Sequence, residues 1–441
     1  MGRHAPVRLA VISLGCPKNL VDTERALGQM APQGIVLVDD LAGADWVLIN
    51  TCGFIEEAKA ESIDTVLQVA SLKDEKASLK IAVAGCLSER YIESLGAELP
   101  EADAVVGLLT RANVARLLQC ITGAPGACEY AEDDDRQRLR ITSRHFAYLR
   151  ISEGCDNRCA YCAIPDIRGG LVSRPFENVL ADAAELVGDG AVELNIIAQD
   201  TTSYGMDLYG RSRLGELLDR LAGINRSGWL RLLYAHPAHI DDDCIAALEK
   251  GYPIVPYLDL PLQHVSDRML DLMGRGVTRR QIENVIFRVR DRVPGVYIRT
   301  AFIVGFPGER AEDFDELLDF IRQMRFERLG AFVYSREEGT RAADLPGQVD
   351  NEQKIARLDA LMEAQQRIAS EANHSLVGKH ITGIIDGPSG RDDLPLAGRT
   401  YGDAPEVDGT VLAVGEGAPG EIVNFEITGV DDYDLVAVVR R

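Results

Sequence analysis

The chain has 441 residues, more than one hydrophobic core usually organises, so two or three domains are expected. Hydrophobic residues make up 46% and charged residues 26%, ordinary for a globular protein, and no apolar run approaches the ~18 residues of a membrane span. A net charge of −22 suits basic proteins as partners or serves solubility alone, and it leaves room for a local basic groove.

Arg3 and His4, followed by the apolar run 7–15 before Cys16, mimic a short export signal. The run contains Arg8, and no small-residue cleavage pattern precedes Cys16, so a first strand is expected instead. Nine cysteines, an odd number without such a signal, point to a reducing compartment (the cytoplasm) and to metal ligation over disulfides.

Residues 7–118 form the first expected domain. Apolar runs at 7–14, 45–49 and 80–84 alternate with helical segments at 18–30 and through about 69, the pattern of a parallel, flavodoxin-like sheet. Each run ends just before a cysteine: Cys16, Cys52 and Cys86. Strand carboxyl ends converge on the ligand crevice of such sheets, so the three are expected to meet and to hold a second iron–sulfur cluster. Three separate buried cysteines are the plainer alternative.

Residues 119–140 read as a linker, with Gly123, Pro125, Gly126 and the acidic run 132–135. Cys120, Cys128 and Cys244 have no ligand-like company and read as bystanders. Alternation resumes over 140–373, with strands expected at 146–151, 192–198, 230–234, 254–260, 296–304 and 330–334. Six units suit a partial (β/α)6 barrel with its functional residues at strand carboxyl ends. Gln199-Asp200, His236, Gln263-His264 and Gly305 to Glu309 stand there. A breaker-free helix at 351–372 bridges to a last domain, 374–441, whose short alternating strands suit a small antiparallel barrel.

The stretch Ser152-Glu-Gly-Cys155-Asp-Asn-Arg-Cys159-Ala-Tyr-Cys162 carries the chemistry. Structural zinc wants four ligands, and no fourth Cys or His is near. Ferredoxin runs add a further Cys before Pro, which is missing here. Three thiolates on a four-iron cube leave one iron open to substrate.

This spacing resembles the radical S-adenosylmethionine (SAM) superfamily. The resemblance implies a 4Fe–4S cluster on Cys155, Cys159 and Cys162, whose open iron binds SAM. Tyr161 fits the superfamily's usual aromatic between the cysteines. Gln199, Gln263, Arg299, Gly305 and Glu309, by their place near strand carboxyl ends, are the other expected cofactor contacts, turn residues being the plainer alternative. The whole chain is similar to the methylthiotransferase family: an N-terminal three-cysteine domain, a radical core and a C-terminal barrel of the TRAM type. Ser13-Leu-Gly-Cys-Pro-Lys-Asn19, Asn50-Thr-Cys-Gly-Phe-Ile55, Gln199-Asp-Thr-Thr-Ser-Tyr-Gly205, Arg299 to Glu309 and Glu337-Glu-Gly-Thr340 look like one branch of it. That branch modifies an aspartate β-carbon of a ribosomal small-subunit protein, the twelfth of its series; another modifies a tRNA adenosine.

The resemblance further implies two 4Fe–4S clusters, two SAM molecules per turnover, a sulfur donor and an electron donor. From Leu376 onward five basic residues face twelve acidic ones. Such a barrel is expected to suit a basic ribosomal protein better than tRNA phosphates. The competing expectations are the tRNA enzyme and a non-catalytic iron–sulfur scaffold.

Overall fold

The computed structural model describes residues 6–123 and 138–440. The acidic run of the linker and Cys128 lie outside the described residues.

Strands β1 (Val7–Ser13), β2 (Ile35–Leu37), β3 (Trp46–Thr51), β4 (Lys80–Gly85) and β5 (Ala104–Val105) form one parallel sheet in the order β2-β1-β3-β4-β5. This is the flavodoxin-like order, whose direction reverses between β1 and β3. Every residue of β3 is buried, as an apolar central strand between two helical layers must be. Ala26, Leu27 and Met30 of α1 (Pro17–Met30) cover one face, with the helix Arg111–Thr122; Val66 and Val69 of α2 (Glu56–Ser71) cover the other. The edge strands β2 and β5, three and two residues long, are too short to leave a periodic signal.

The central sheet is also wholly parallel. Its strands are β6 (Phe146–Arg150), β9 (Glu193–Ile197), β10 (Trp229–Leu232), β11 (Ile254–Asp259), β12 (Tyr297–Val304) and β13 (Arg328–Val333), in the order β13-β12-β11-β10-β9-β6. Between β6 and β9, a small hairpin pairs β7 (Ser152–Glu153) with β8 (Val172–Ser173). The six strands do not close, which makes the expected partial barrel. Alternation within β6 separates its two faces. Ala147 and Leu149 join the core under the helices, while Phe146 and Tyr148 look inward with Trp229, Val255 and Tyr257. The helix Asn351–His374 is more than a bridge: Leu361 and Ile368 enter the central core.

Strands β14 (His380–Pro388), β15 (Leu396–Thr400), β16 (Val411–Val414), β17 (Ile422–Asp431) and β18 (Asp434–Arg440) close into a barrel. It is antiparallel except where β16 pairs β18 in parallel, a departure from the fully antiparallel expectation. Its Ile384 and Ala404 fill the inner face of the central sheet.

Charged pairs seal that junction. Arg399 reaches Glu193 Oε2 at 2.8 Å while Arg231 holds Glu193 Oε1 at 2.7 Å, all buried. Arg328 pairs with Asp403, Arg299 with Asp408, and His145 with Asp386. Part of the C-terminal acidity is therefore internal. The acidic residues left outside, such as Asp392, Asp393, Glu416 and Asp432, are the ones open to a basic partner. Among the described residues no helix is long and apolar enough to cross a membrane.

Candidate active site

Cys16 is the N-cap of α1, Cys52 follows β3, and Cys86 opens the short helix α3 (Cys86–Arg90) after β4. The three strand-end loops converge on one side chain, Asn19. Its Nδ2 donates to Leu14 O at 3.1 Å and Thr51 O at 2.9 Å, and its Oδ1 accepts from the Cys86 thiol at 3.3 Å. Ser62 of α2 fixes Cys52 by accepting from its N–H and donating to its carbonyl. Gly15 has φ +84°, and a Cβ there would lie 2.9 Å from Cys52 Sγ, so only glycine lets these loops approach. Burial pushes the Cys86 thiol up to about 12 and raises that of Cys52, with Cys16 adding to both.

The second trio sits on the loop after β7. Cys155 N–H donates to Gly169 O at 3.1 Å, and Cys162 N–H to Cys159 O at 3.2 Å. Asn157 is tethered to Asp200 Oδ2 at 2.8 Å. Asp200 is also bonded by Thr202, Ser203 and His239, and these partners outweigh burial to hold its carboxyl well below the usual range. Arg275 approaches Cys159 Sγ and the Tyr161 hydroxyl, each at 3.5 Å. Burial pushes the Cys162 thiol up to about 12.

The two trios adjoin. Cys86 packs with Ala163 and Ile167, which follow Cys162. Arg168, ending the helix Ile164–Arg168, donates to Cys86 Sγ at 3.4 Å, Asn19 Oδ1 at 2.6 Å, Asp22 Oδ2 at 3.0 Å and Glu153 Oε1 at 3.0 Å. Glu153 also accepts from Arg150 at 2.6 Å and Gln199 at 2.5 Å, so its carboxyl stays low despite burial. Lys18, beside Cys16, lies in this junction with its Nζ 2.9 Å from the centre of the Tyr234 ring, and burial pushes its ammonium down to about 8.

The sequence-derived cofactor contacts divide. Tyr161 lies between the cysteines and beside Arg275, and Gln199 reaches Glu153 with its Oε1 buried and unpartnered. Gln263 adopts φ +71° and pairs through its backbone with Ala301 and Ile303. Two more have their charges met by other protein groups. Glu309 is enclosed: His264 meets Oε1 at 3.1 Å, and Oε2 accepts from Gly305 N–H at 2.5 Å and Arg357 at 2.6 Å. The Gly305–Glu309 turn is thus a structural knot, with Lys354 filling the space of a Gly305 Cβ. Arg299 is held between Asp259 and Asp408 and belongs to the junction with the C-terminal barrel. Residues the sequence reading passed over are Glu153, Arg168, Arg275, Asn19 and Lys18. Several lie inside or next to the quoted motifs, but nothing in the spacing distinguishes a bridging side chain from an exposed one.

Family models match three segments: the uncharacterized protein family UPF0004 at residues 8–107, the radical SAM superfamily at 149–321 and the TRAM domain at 377–439. The ribosomal protein uS12 methylthiotransferase RimO of Geobacter sulfurreducens is 43% identical, covering 99% of each chain. That of Clostridioides difficile is 42% identical over 98% of this chain and 99% of its own. The chain belongs to the uS12 methylthiotransferase family. Its fold is similar to that of the radical SAM methyltransferase TsrM from Kitasatospora setae (TM-score 0.55, 13% identity, 77% of each chain). As a radical SAM methylthiotransferase it is an enzyme whose cofactors include a 4Fe–4S cluster and SAM.

Proposed function

We propose that this chain replaces a β-carbon hydrogen of an aspartate in ribosomal protein uS12 with a methylthio group. Cys155, Cys159 and Cys162 hold one 4Fe–4S cluster, and Cys16, Cys52 and Cys86 hold a second. The observation that carries this reading is the contact of Arg168, which follows the central trio, with Cys86 of the N-terminal trio.

Spacing supports clusters over single ions. A tetrahedral zinc holds its sulfurs about 3.8 Å apart. Among the described residues the one set of three candidate ligand atoms within 4.8 Å of each other is Asp200, His236 and His239, so neither cysteine trio has all three sulfurs inside that range. In the Asp200 set the carboxylate and His239 Nδ1 already bond to each other, and the carboxylate also to Thr202 and Ser203. Buried atoms without partners occur on Arg275, which reaches Cys159, on Gln199, which bonds Glu153, and on His236, beside Asp200, and suit a polar ligand such as SAM.

When bound, the two clusters supply the reducing electron, the radical chemistry that activates an unreactive C–H bond, and iron-held sulfur. The chain's own groups do the rest. Asn157 and Asp200 hold the central loop in place. Arg275 places positive charge beside Cys159, and Arg168 beside Cys86, where thiolate charge must be stabilised. Burial of the junction keeps water from reactive carbon. No side chain need act as a base, because the hydrogen leaves as an atom. A sulfur donor and an electron donor complete the turnover.

Anaerobically reconstituted enzyme with SAM, reductant and purified uS12 should add one methylthio group to an aspartate, read by peptide mass spectrometry. Methylthioadenosine in tRNA with unmodified uS12 would overturn the substrate, and cluster transfer without 5′-deoxyadenosine would overturn the enzyme.

A further inference from the structure

Lys18 stands out among the charged side chains of the junction. It is 7% exposed, and its Nζ makes no hydrogen bond or ion pair with any described residue; its contact is the face of the Tyr234 ring. Burying an ammonium against an aromatic face alone leaves most of its desolvation uncompensated.

The nearby carboxylates cannot serve. Asp259 is bonded to Arg299 and to the Tyr234 N–H, and Glu153 to Arg150, Arg168 and Gln199. The other titratable groups facing it are Cys16 and Arg168. Tyr234 itself is held at φ +60°, left-handed for a non-glycine residue, by Asp259 at its N–H and Thr201 at its carbonyl. Strain of this kind persists where surrounding structure imposes it and gathers at ligand sites. An unpaired buried cation on a fixed ring beside Cys16 is a place prepared for an anion.

We propose that Lys18 receives the side-chain carboxylate of the substrate aspartate. The inference rests on the functional reading above and deepens it. The reacting carbon is bonded directly to that carboxylate carbon, so an ammonium that fixes the carboxylate also fixes the β-carbon between the two cysteine trios. An adenosine base offers no carboxylate, so the same lysine selects protein over tRNA. The carboxylate of SAM is the other source of this chemistry. Lys18 lies on the Cys16 side of the junction, which favours the substrate.

The test compares binding of uS12, and of uS12 with its target aspartate changed to Asn, to iron-loaded enzyme by fluorescence anisotropy. Wild type should prefer the Asp form by about 30-fold or more, the range for a buried charge pair. Lys18→Gln should abolish the preference and Lys18→Arg restore most of it. Should Lys18→Gln fail to fold, Lys18→Met, with an unbranched apolar chain of similar volume, carries the comparison. A preference that survives in the uncharged variant overturns the assignment. So does an intact preference with weakened SAM binding, which would give Lys18 to the cofactor. A wild type without any preference would instead remove the aspartate reading on which the assignment stands.

Discussion

Arg168 Nη2 lies 3.4 Å from Cys86 Sγ, although the two residues are 82 positions apart and sit on short helices of different domains. The same guanidinium holds Asp22 of α1 and Glu153 of the hairpin, so one side chain ties the N-terminal domain to the loop of the central cysteines.

Replacing Arg168 by Met leaves Asp22 and Glu153 buried with one cation fewer. The expected cost is about 3–5 kcal/mol, the range for breaking a buried pair. Chemical denaturation of the variant should show a lower midpoint. Methylthio transfer should be lost with it, because the two trios no longer keep their relative placement. An unchanged midpoint and activity would mean the bridge is incidental.

Changing Cys16, Cys52 and Cys86 together to Ala should leave about half the iron and acid-labile sulfide of the wild type after reconstitution. The remaining half should still support formation of 5′-deoxyadenosine from SAM. Full iron content in the triple variant would refute the second cluster.

Glu309→Gln separates a structural knot from a cofactor contact. Its carboxylate joins His264, Gly305 and Arg357 out of reach of solvent. The variant should lose about 3 kcal/mol of stability or more, while the protein that does fold binds SAM as wild type does. Isothermal titration with SAM beside thermal melts gives both readings.

Acid should loosen the C-terminal barrel. Burial would raise the carboxyls of Glu193 and Asp386, but Arg399, with Arg231 for Glu193 and His145 for Asp386, holds both below their ordinary values. Such groups contribute stability that is present above the unfolded-state values, about 4, and is lost as pH falls through the lower folded values. Asp408, raised by burial, offsets part of this. Trp229, buried in the same junction, reports the change: in a Trp46→Phe background its emission should shift to the red as pH drops below about 4. Arg399→Ala should move that transition to higher pH.

Much of the architecture was legible in the chain itself. Continuous apolar runs of five to nine residues between helical segments located the long parallel strands to within a residue or two, because strands buried on both faces need apolar side chains throughout. Strands of two or three residues, and Leu396–Thr400 with its Gly398 and Arg399, carried no such pattern. Cys16, Cys52 and Cys86 could be grouped before any coordinates, since strand ends of one parallel sheet must lie side by side. The structure brings their loops together through Asn19, as that reading expected.

What the sequence determined by itself was local and periodic: which segments are strands or helices, which cysteines stand at strand ends, and which motifs mark the family. What only the tertiary structure decided was which distant charges meet. Glu309 and Arg299 looked like cofactor contacts, and their charges are met by Arg357 and by Asp408 of the C-terminal barrel, whereas Lys18 and Arg168 looked ordinary and lie at the junction of the trios. The physical reason is range. Backbone preference and hydrophobic alternation are written in neighbouring residues, whereas the partner of a long charged side chain is set by how whole domains dock.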